Sequence, residues 1–436
     1  MEIQTETQLR QRIDRTHESP LFYKIFALVA GGMFLDAADV YMASAVASTL
    51  LKSGWSTIAT NSYFLSSGFL GLFIGSLTAG FIGDLKGRRV AYQINLLLFG
   101  GFTFLAAFAP NMPFLIGCRL IASIGLGSEI VTGYAMINEF APVHRRGRWC
   151  ASVSVIANTG APVTMLACTM IIPRFGWRVM FAAIGIIAAI LWVLRRDIPE
   201  SPRWLLSHGQ PVAAAAVIKR LEVPTGHVQE AKGAPASAVR PNAPASRHLG
   251  VSLFVAIVAV SATIICQYTF TSWVPTLLVK RGINVAGSLG VSTVMMLGAP
   301  IGCAIGAYLV DRIGRKWTIV PAFLLTAILG MEYGQQTAIR GVVMVGFALT
   351  VCFYILMASV VAVYVSELFP TKFRFRGSGI ANGTAKLFTV AMPIVVAWLL
   401  QVTSVNVIFW IISGIALLAG LVVWGLGVET SQRRLD

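Results

Sequence analysis

The sequence predicts an all-α membrane protein of twelve transmembrane helices in two six-helix pseudo-repeats, and three observations carry that prediction. The chain of 436 residues is 56% hydrophobic and only 12% charged, against about 25% charged residues in a soluble protein. Its apolar residues gather into runs of the ~20 residues that a helix needs to cross a hydrocarbon core of about 30 Å. Charged motifs then recur at one long interval, once in each half.

The apolar runs place spans at 22–50, 62–83, 89–109, 113–139, 149–172 and 177–195, then at 250–279, 286–309, 316–335, 341–366, 378–401 and 406–427. None alternates in polarity over about ten residues as the strands of a membrane β-barrel do, which leaves helices as the spanning structure. Between the sixth and seventh runs, residues 222–247 are rich in Pro, Ala and Gly with few large apolar side chains, as expected of a partly disordered linker. The predicted organisation is an N-terminal bundle (1–195), a cytoplasmic linker loop (196–249) and a C-terminal bundle (250–436).

A formal charge of +16 would suit a nucleic-acid-binding protein, so the placement of the basic residues decides its meaning. Arg10, Arg12, Arg15 and Lys24 precede the first span, Lys86, Arg88 and Arg89 follow the second, and Arg145, Arg146 and Arg148 follow the fourth. Arg195, Arg196, Arg203, Lys219 and Arg220 follow the sixth, Arg312, Arg315 and Lys316 the eighth, and Lys372, Arg374 and Arg376 the tenth. The alternate loops carry chiefly Lys52, Arg174, Lys280, Arg281 and Arg340. By the positive-inside bias both termini are cytoplasmic. The expected surroundings are a lipid bilayer, with no nucleic-acid partner, in a multi-pass protein of the plasma membrane (the inner membrane, if bacterial). The first twenty residues mix charges and lack a small-residue cleavage site, so no removable signal peptide is expected.

All six cysteines lie in or beside apolar runs without ligand spacing and read as small packing residues. All five histidines fall outside the spans, which argues against a buried histidine relay or a metal site, and no cofactor is expected. No phosphate-binding loop with its lysine is present, so ATP-driven pumping is not supported. No nucleophile, histidine and acid constellation lies within the spans, so an enzyme is not expected.

The repeat is visible in two pairs of motifs. GFIGDLKGRR ends the second span and GAYLVDRIGRK the eighth, with Asp84 and Asp311 separated by 227 residues. NEFAPVHRRGR follows the fourth and SELFPTKFRFRG the tenth, with Glu139 and Glu367 separated by 228. Gly80, Asp84, Gly87, Arg88 and Arg89 match G-x-x-x-D-x-x-G-R-[RK], and in this the chain resembles the major facilitator superfamily. The echo in the second half has Asp311, Arg312, Gly314, Arg315 and Lys316. PESPRWL at 199–205, and the fourth span with Arg119, Gly125, Gly127, Glu139, Arg146 and Gly147, are similar to the sugar porters and their organic-ion relatives. The resemblance covers the whole chain. It implies two six-helix halves that rock around a central site, with Asp84, Arg88, Glu139, Asp311, Arg315 and Glu367 forming a conformational latch that stabilises the outward-open state. Read without the resemblance, these are topology-setting charges worth little individually.

Charges inside spans carry more information, because each costs roughly 2.5–3.5 kcal/mol at the bilayer centre on insertion scales and therefore faces a cavity or a partner. The leading ones are Asp36 and Asp39 in the first helix, Arg119 and Glu129 in the fourth, and Lys386 in the eleventh. At about 1.5 Å per residue, Asp36 lies roughly 18 Å and Glu129 about 16 Å from the cytoplasmic helix ends, so they could share a depth, with Asp39 one turn further out towards Arg119. DAAD at 36–39 resembles the D-G-Y-D of aromatic-acid proton symporters, keeping both acids. Burial disfavours a carboxylate's charge and an arginine favours it, so a cycle that alters this proximity would bind and release a proton. Asp36, Asp39, Glu129 and Arg119 are thus candidates for proton coupling, or for a static network orienting the two helices.

Lys386 lies roughly 15 Å into its helix, too deep to reach water easily. GIANGTAKLFTVAMP, which also contains Asn382, resembles the helix of organic-acid porters that has an arginine at this place. Lysine keeps the charge but loses the bidentate fork. An anionic substrate, or a pair with an acidic side chain, follows. In the seventh helix, QYTFTSWVPTLL offers Gln267, Tyr268 and Trp273 as hydrogen-bonding groups and ring faces. Trp273 reads equally as an interfacial belt residue.

The expectation is a secondary active transporter, a proton-coupled symporter of a small organic acid such as an aromatic or heterocyclic monocarboxylate, functional as a monomer. Its partners would be the small-molecule substrate and protons. A sugar or polyol porter, an efflux antiporter and, more remotely, a transporter-like receptor are the alternatives.

Overall fold

The computed structural model describes residues 8–9, 12–13, 16, 18–142, 145–222, 249–280, 282–369 and 374–430. Among these, twelve helices are long and apolar enough to span a membrane, and there is no strand. They are α1 (Pro20–Lys52), α2 (Ile58–Lys86), α3 (Arg88–Ala106), α4 (Met112–Phe140), α5 (Arg146–Phe175) and α6 (Trp177–Leu194). The second set is α7 (Leu249–Lys280), α8 (Val285–Arg312), α9 (Arg315–Gln335), α10 (Ile339–Tyr364), α11 (Arg374–Val402) and α12 (Val405–Leu426). Every predicted span is present.

Most helices extend slightly beyond the apolar runs, because capped first turns are helical without being apolar. The Ser19 hydroxyl accepts from Phe22 N at 3.1 Å with Pro20 in the first turn, Thr57 and Thr60 close a capping box at the start of α2, and Asn111 accepts from Phe114 N at 3.0 Å. The α2–α3 hairpin turns at Gly87 and the α8–α9 hairpin at Ile313–Gly314, and the φ values of 94° at Gly87 and 105° at Gly314 suit glycine.

The region expected to be one loop contains two short helices, Pro202–Ser207 and Pro211–Leu221. They form because Leu205, Leu206, Ala214, Val217, Ile218 and Leu221 recur on one face and bury it against Phe22, Ile25 and Phe140. The rest of the expected linker, 223–248, lies outside the described residues.

Lipid gives helices no hydrophobic reason to associate, so close approach of backbones must supply the attraction. Gly71 and Gly75 of α2 face α4, where a Cβ on Gly71 would come 2.6 Å from Ser123 Cβ. Their repeat equivalents Gly298 and Gly302 of α8 face α10, and Gly306 continues the row. In α4, Gly125 faces α3 and Gly127 faces α2, both at backbone distance. The same small-residue seams thus build both halves.

The start of α1 and the end of α12 share one face of the bundle, called here the terminal face, and the opposite one is the far face. The halves meet where α1 packs on α7, α2 on α11 and α5 on α8. The Ser44 hydroxyl donates to the carbonyls of Thr271 (2.9 Å) and Ser272 (2.8 Å), and Thr169 meets Thr293 at 3.2 Å, both towards the far face. At mid-depth Tyr41 and Tyr354 join hydroxyl to hydroxyl, and Asn158 Nδ2 donates to Cys303 Sγ at 3.1 Å.

Candidate functional site

Among the described residues, the intramembrane charges of the N-terminal half sort into two ion pairs and one acid without a partner. Asp39 of α1 pairs with Arg119 of α4, both nearly fully buried. Gly68 of α2 leaves space for the guanidinium, whose Cζ lies 5.6 Å from the centroid of the Phe64 ring. Glu129 of α4 pairs with Arg195 at 2.6 Å. Asp36, also buried, is left with Oδ1 unbonded among the described residues.

Arg195 corrects the reading of the basic loops. It directly follows α6, yet it is 0% exposed, donates to Leu28 O at 3.0 Å and stacks 3.7 Å above the Tyr92 ring. Its side chain points back into the bundle towards Glu129. Position in sequence suggested a solvated charge, and only the missing counter-charge for Glu129 could have hinted otherwise.

In the C-terminal half, Lys386 of α11 makes no ion pair within 4 Å among the described residues. Thr389 and Pro393, one and two turns along the same helix face, line a narrow cleft with Phe69, Tyr268, Thr269 and Trp273. Tyr268 meets Phe69 across the halves with ring centroids 5.0 Å apart. Trp273 is 1% exposed, which removes the belt reading. Trp273 Nε1, Thr269 Oγ1 and Gln267 Oε1 are buried without hydrogen-bond partners among the described residues, so α7 brings unspent polar groups to the boundary between the halves. Asn382 is partly buried and donates to Ser378 O at 2.9 Å, a local bond within its own helix. The sequence reading missed Tyr41 and Tyr354, whose hydroxyls meet only because the halves do.

At the terminal face the predicted latch residues form matching clusters. Arg88 Nε lies 3.2 Å from Glu139 and Arg315 Nε 2.9 Å from Glu367, each within its own half. Asp311 reaches Arg315 at 3.5 Å and is 80% exposed on its side chain; the side chain of Asp84 lies outside the described residues. Two acids that the sequence reading passed over complete the clusters. Glu200 of the PESPRWL segment accepts from Arg88 N at 2.8 Å and Arg89 N at 3.2 Å, and Glu429 accepts from Arg315 N at 2.9 Å and Lys316 N at 3.0 Å. A carboxylate at the first turn of a helix meets free N–H groups and the positive end of the dipole. Glu200 and Glu429 are 429 − 200 = 229 residues apart, within two residues of the intervals of the other motifs, a signal that could have found them.

The family profile described as "Sugar (and other) transporter" matches residues 32–436. The inner membrane metabolite transport protein YdjE of Escherichia coli K12 is 33% identical over 98% of each chain. The niacin transporter NiaP of Acinetobacter baylyi is 28% identical over 98% of this chain and 99% of its own. The inward-open structure of the E. coli xylose transporter XylE superposes with a TM-score of 0.76 at 18% identity, over 95% of this chain and 98% of that one.

Proposed function

Since this chain belongs to the sugar (and other) transporter family within the major facilitator superfamily, and is a multi-pass plasma-membrane transporter rather than an enzyme, we propose that it carries a small organic acid together with protons. The substrate class we infer is an aromatic or heterocyclic monocarboxylate, moved by alternating access in a monomer whose terminal face, rich in basic residues, is cytoplasmic.

The observation that carries this reading is the placement of Asp36 and Lys386. Each is an intramembrane charge in a different half of the bundle, and neither has an ion-pair partner among the described residues. Lys386 is available to a substrate carboxylate; Asp36 is the one buried acid of the three without a guanidinium, so a proton there removes an uncompensated buried charge. The aromatic lining at Phe69, Tyr268 and Trp273 supports a flat ring as the rest of the ligand. The relative named for niacin, a pyridine carboxylic acid, fits the same class.

Uptake into proteoliposomes tests it. Radiolabelled niacin and related carboxylates are expected to accumulate under an inward proton gradient. Asp36→Asn is expected to lose the gradient dependence, and Lys386→Ala to lower affinity for the acid by tenfold or more, as a charged hydrogen bond worth about 1.5–3 kcal/mol is removed. Sugar uptake indifferent to Lys386 would overturn the anion assignment, and flux indifferent to the gradient would make the protein a uniporter.

A further inference from the structure

The segment between Arg195 and Glu200 is anchored at its inner end on α4 and at its outer end on α3. Its inner end is the Arg195–Glu129 pair, inside α4; its outer end is Glu200, which caps α3. From that first turn of α3, Arg88 returns to Glu139, also on α4 and about 15 Å from Glu129 along the helix. Between the anchors, Ile198 is buried and the carbonyl of Arg196 accepts from Arg89 Nη2 at 2.7 Å. The result is a closed circuit running from Glu129 through Arg195, Glu200 and Arg88 to Glu139.

The C-terminal half is built without the inner link. It repeats the outer part, with Glu429 capping α9 and Arg315 on Glu367. At the positions equivalent to Glu129 and Arg195 it has Met357 and, by the interval from Glu200 to Glu429, Trp424. A buried ion pair is often replaceable by apolar residues without loss of stability, so its retention in one half points to a role in the cycle. The groups facing Glu129 are Arg195 from the turn after α6, Tyr92 of α3 and, in electrostatic range, Asp36 of α1. Gly32 of α1 leaves the space the pair occupies, since a Cβ there would meet both Arg195 Nη2 and Glu129 Oε1.

We propose that Arg195 is a positioning residue that ties the charge of Glu129, within the membrane, to the ion network at the terminal face. When Glu129 loses its charge, Arg195 is released, the 195–200 strap slackens and Glu200 loosens its hold on α3. This deepens the alternating-access reading and rests on it, but needs neither the substrate nor the proton assignment.

The test is made without substrate, on the full chain with Cys150→Ser and spin labels at Val90→Cys of α3 and Trp317→Cys of α9, two exposed, repeat-related positions. Distances are measured by electron–electron resonance in lipid, with thermal stability recorded in parallel. Glu129→Gln is expected to raise the ratio of open to closed populations at the terminal face by about fivefold or more, the lower end of ordinary allosteric coupling. Glu200→Gln should do the same, and the double variant no more than the larger single one. Gly32→Ala, which keeps both charges but wedges the pair, should act in the same direction. Arg195→Lys should restore most of what Arg195→Gln loses. Unchanged distances with only lowered stability, or additive effects of Glu129→Gln and Glu200→Gln, would overturn the linkage whatever the substrate proves to be.

Discussion

Asp39→Ala is expected to cost about 3–5 kcal/mol of folding stability, the usual penalty for leaving one member of a buried ion pair behind. The remaining partner, Arg119, is 6% exposed and lies between α1, α2 and α4, where its Nε already lacks a hydrogen bond. Without Asp39 the guanidinium must draw water into the bundle or distort it. Equilibrium unfolding in mixed micelles measures the loss. The companion variant Asp39→Ala/Arg119→Leu removes both charges and is expected to regain most of the stability, because an apolar pair does not pay the desolvation penalty. Transport provides the contrast: if the pair only orients α1 and α4, the double variant should carry substrate nearly as well as the parent. If it takes part in the cycle, the double variant should be folded and inactive. Full stability of Asp39→Ala alone would show that Arg119 has another counter-charge.

Gly127→Leu is expected to have the second large effect, on assembly of the N-terminal half. A Cβ at Gly127 would lie 2.7 Å from Leu72 Cα, and backbone atoms cannot swing aside as a flexible side chain can. The α2–α4 seam would have to open along its length. Overpacking costs typically 1–3 kcal/mol in a core able to relax, and this contact is against backbone, so the expected outcome is loss of monodisperse protein on gel filtration. Gly117→Leu on the same helix is the control, since a Cβ there meets nothing within 4 Å and should leave yield unchanged. Normal assembly of Gly127→Leu would show that α2 and α4 can separate without cost.

Much of the fold was legible in the sequence, for reasons particular to a chain dissolved in lipid. The length of an apolar run is set by bilayer thickness, so the ends of α1 and α7 fall close to where composition alone placed them. The two short helices after α6 escaped notice because their apolar residues are too few to form a span and their burial depends on α1 and α4. Of the intramembrane charges, the similar depth of Asp39 and Arg119 followed from helix rise, but that they pair did not. The partner of Glu129 did not follow, because Arg195 sits at a helix end and folds back.

What the sequence determined by itself is the number of spans, the duplication, the family and the short list of charges that lipid makes expensive. These depend on quantities summed or repeated along the chain: hydrophobic length, charge count in alternate loops and motif interval. What only the tertiary structure decided is which of those charges neutralise one another: Asp39 with Arg119 and Glu129 with Arg195, leaving Asp36 and Lys386 without an ion pair among the described residues. Pairing depends on side-chain direction across helices far apart in sequence, and a side chain such as that of Arg195 spans several ångströms in a direction the helix period does not fix.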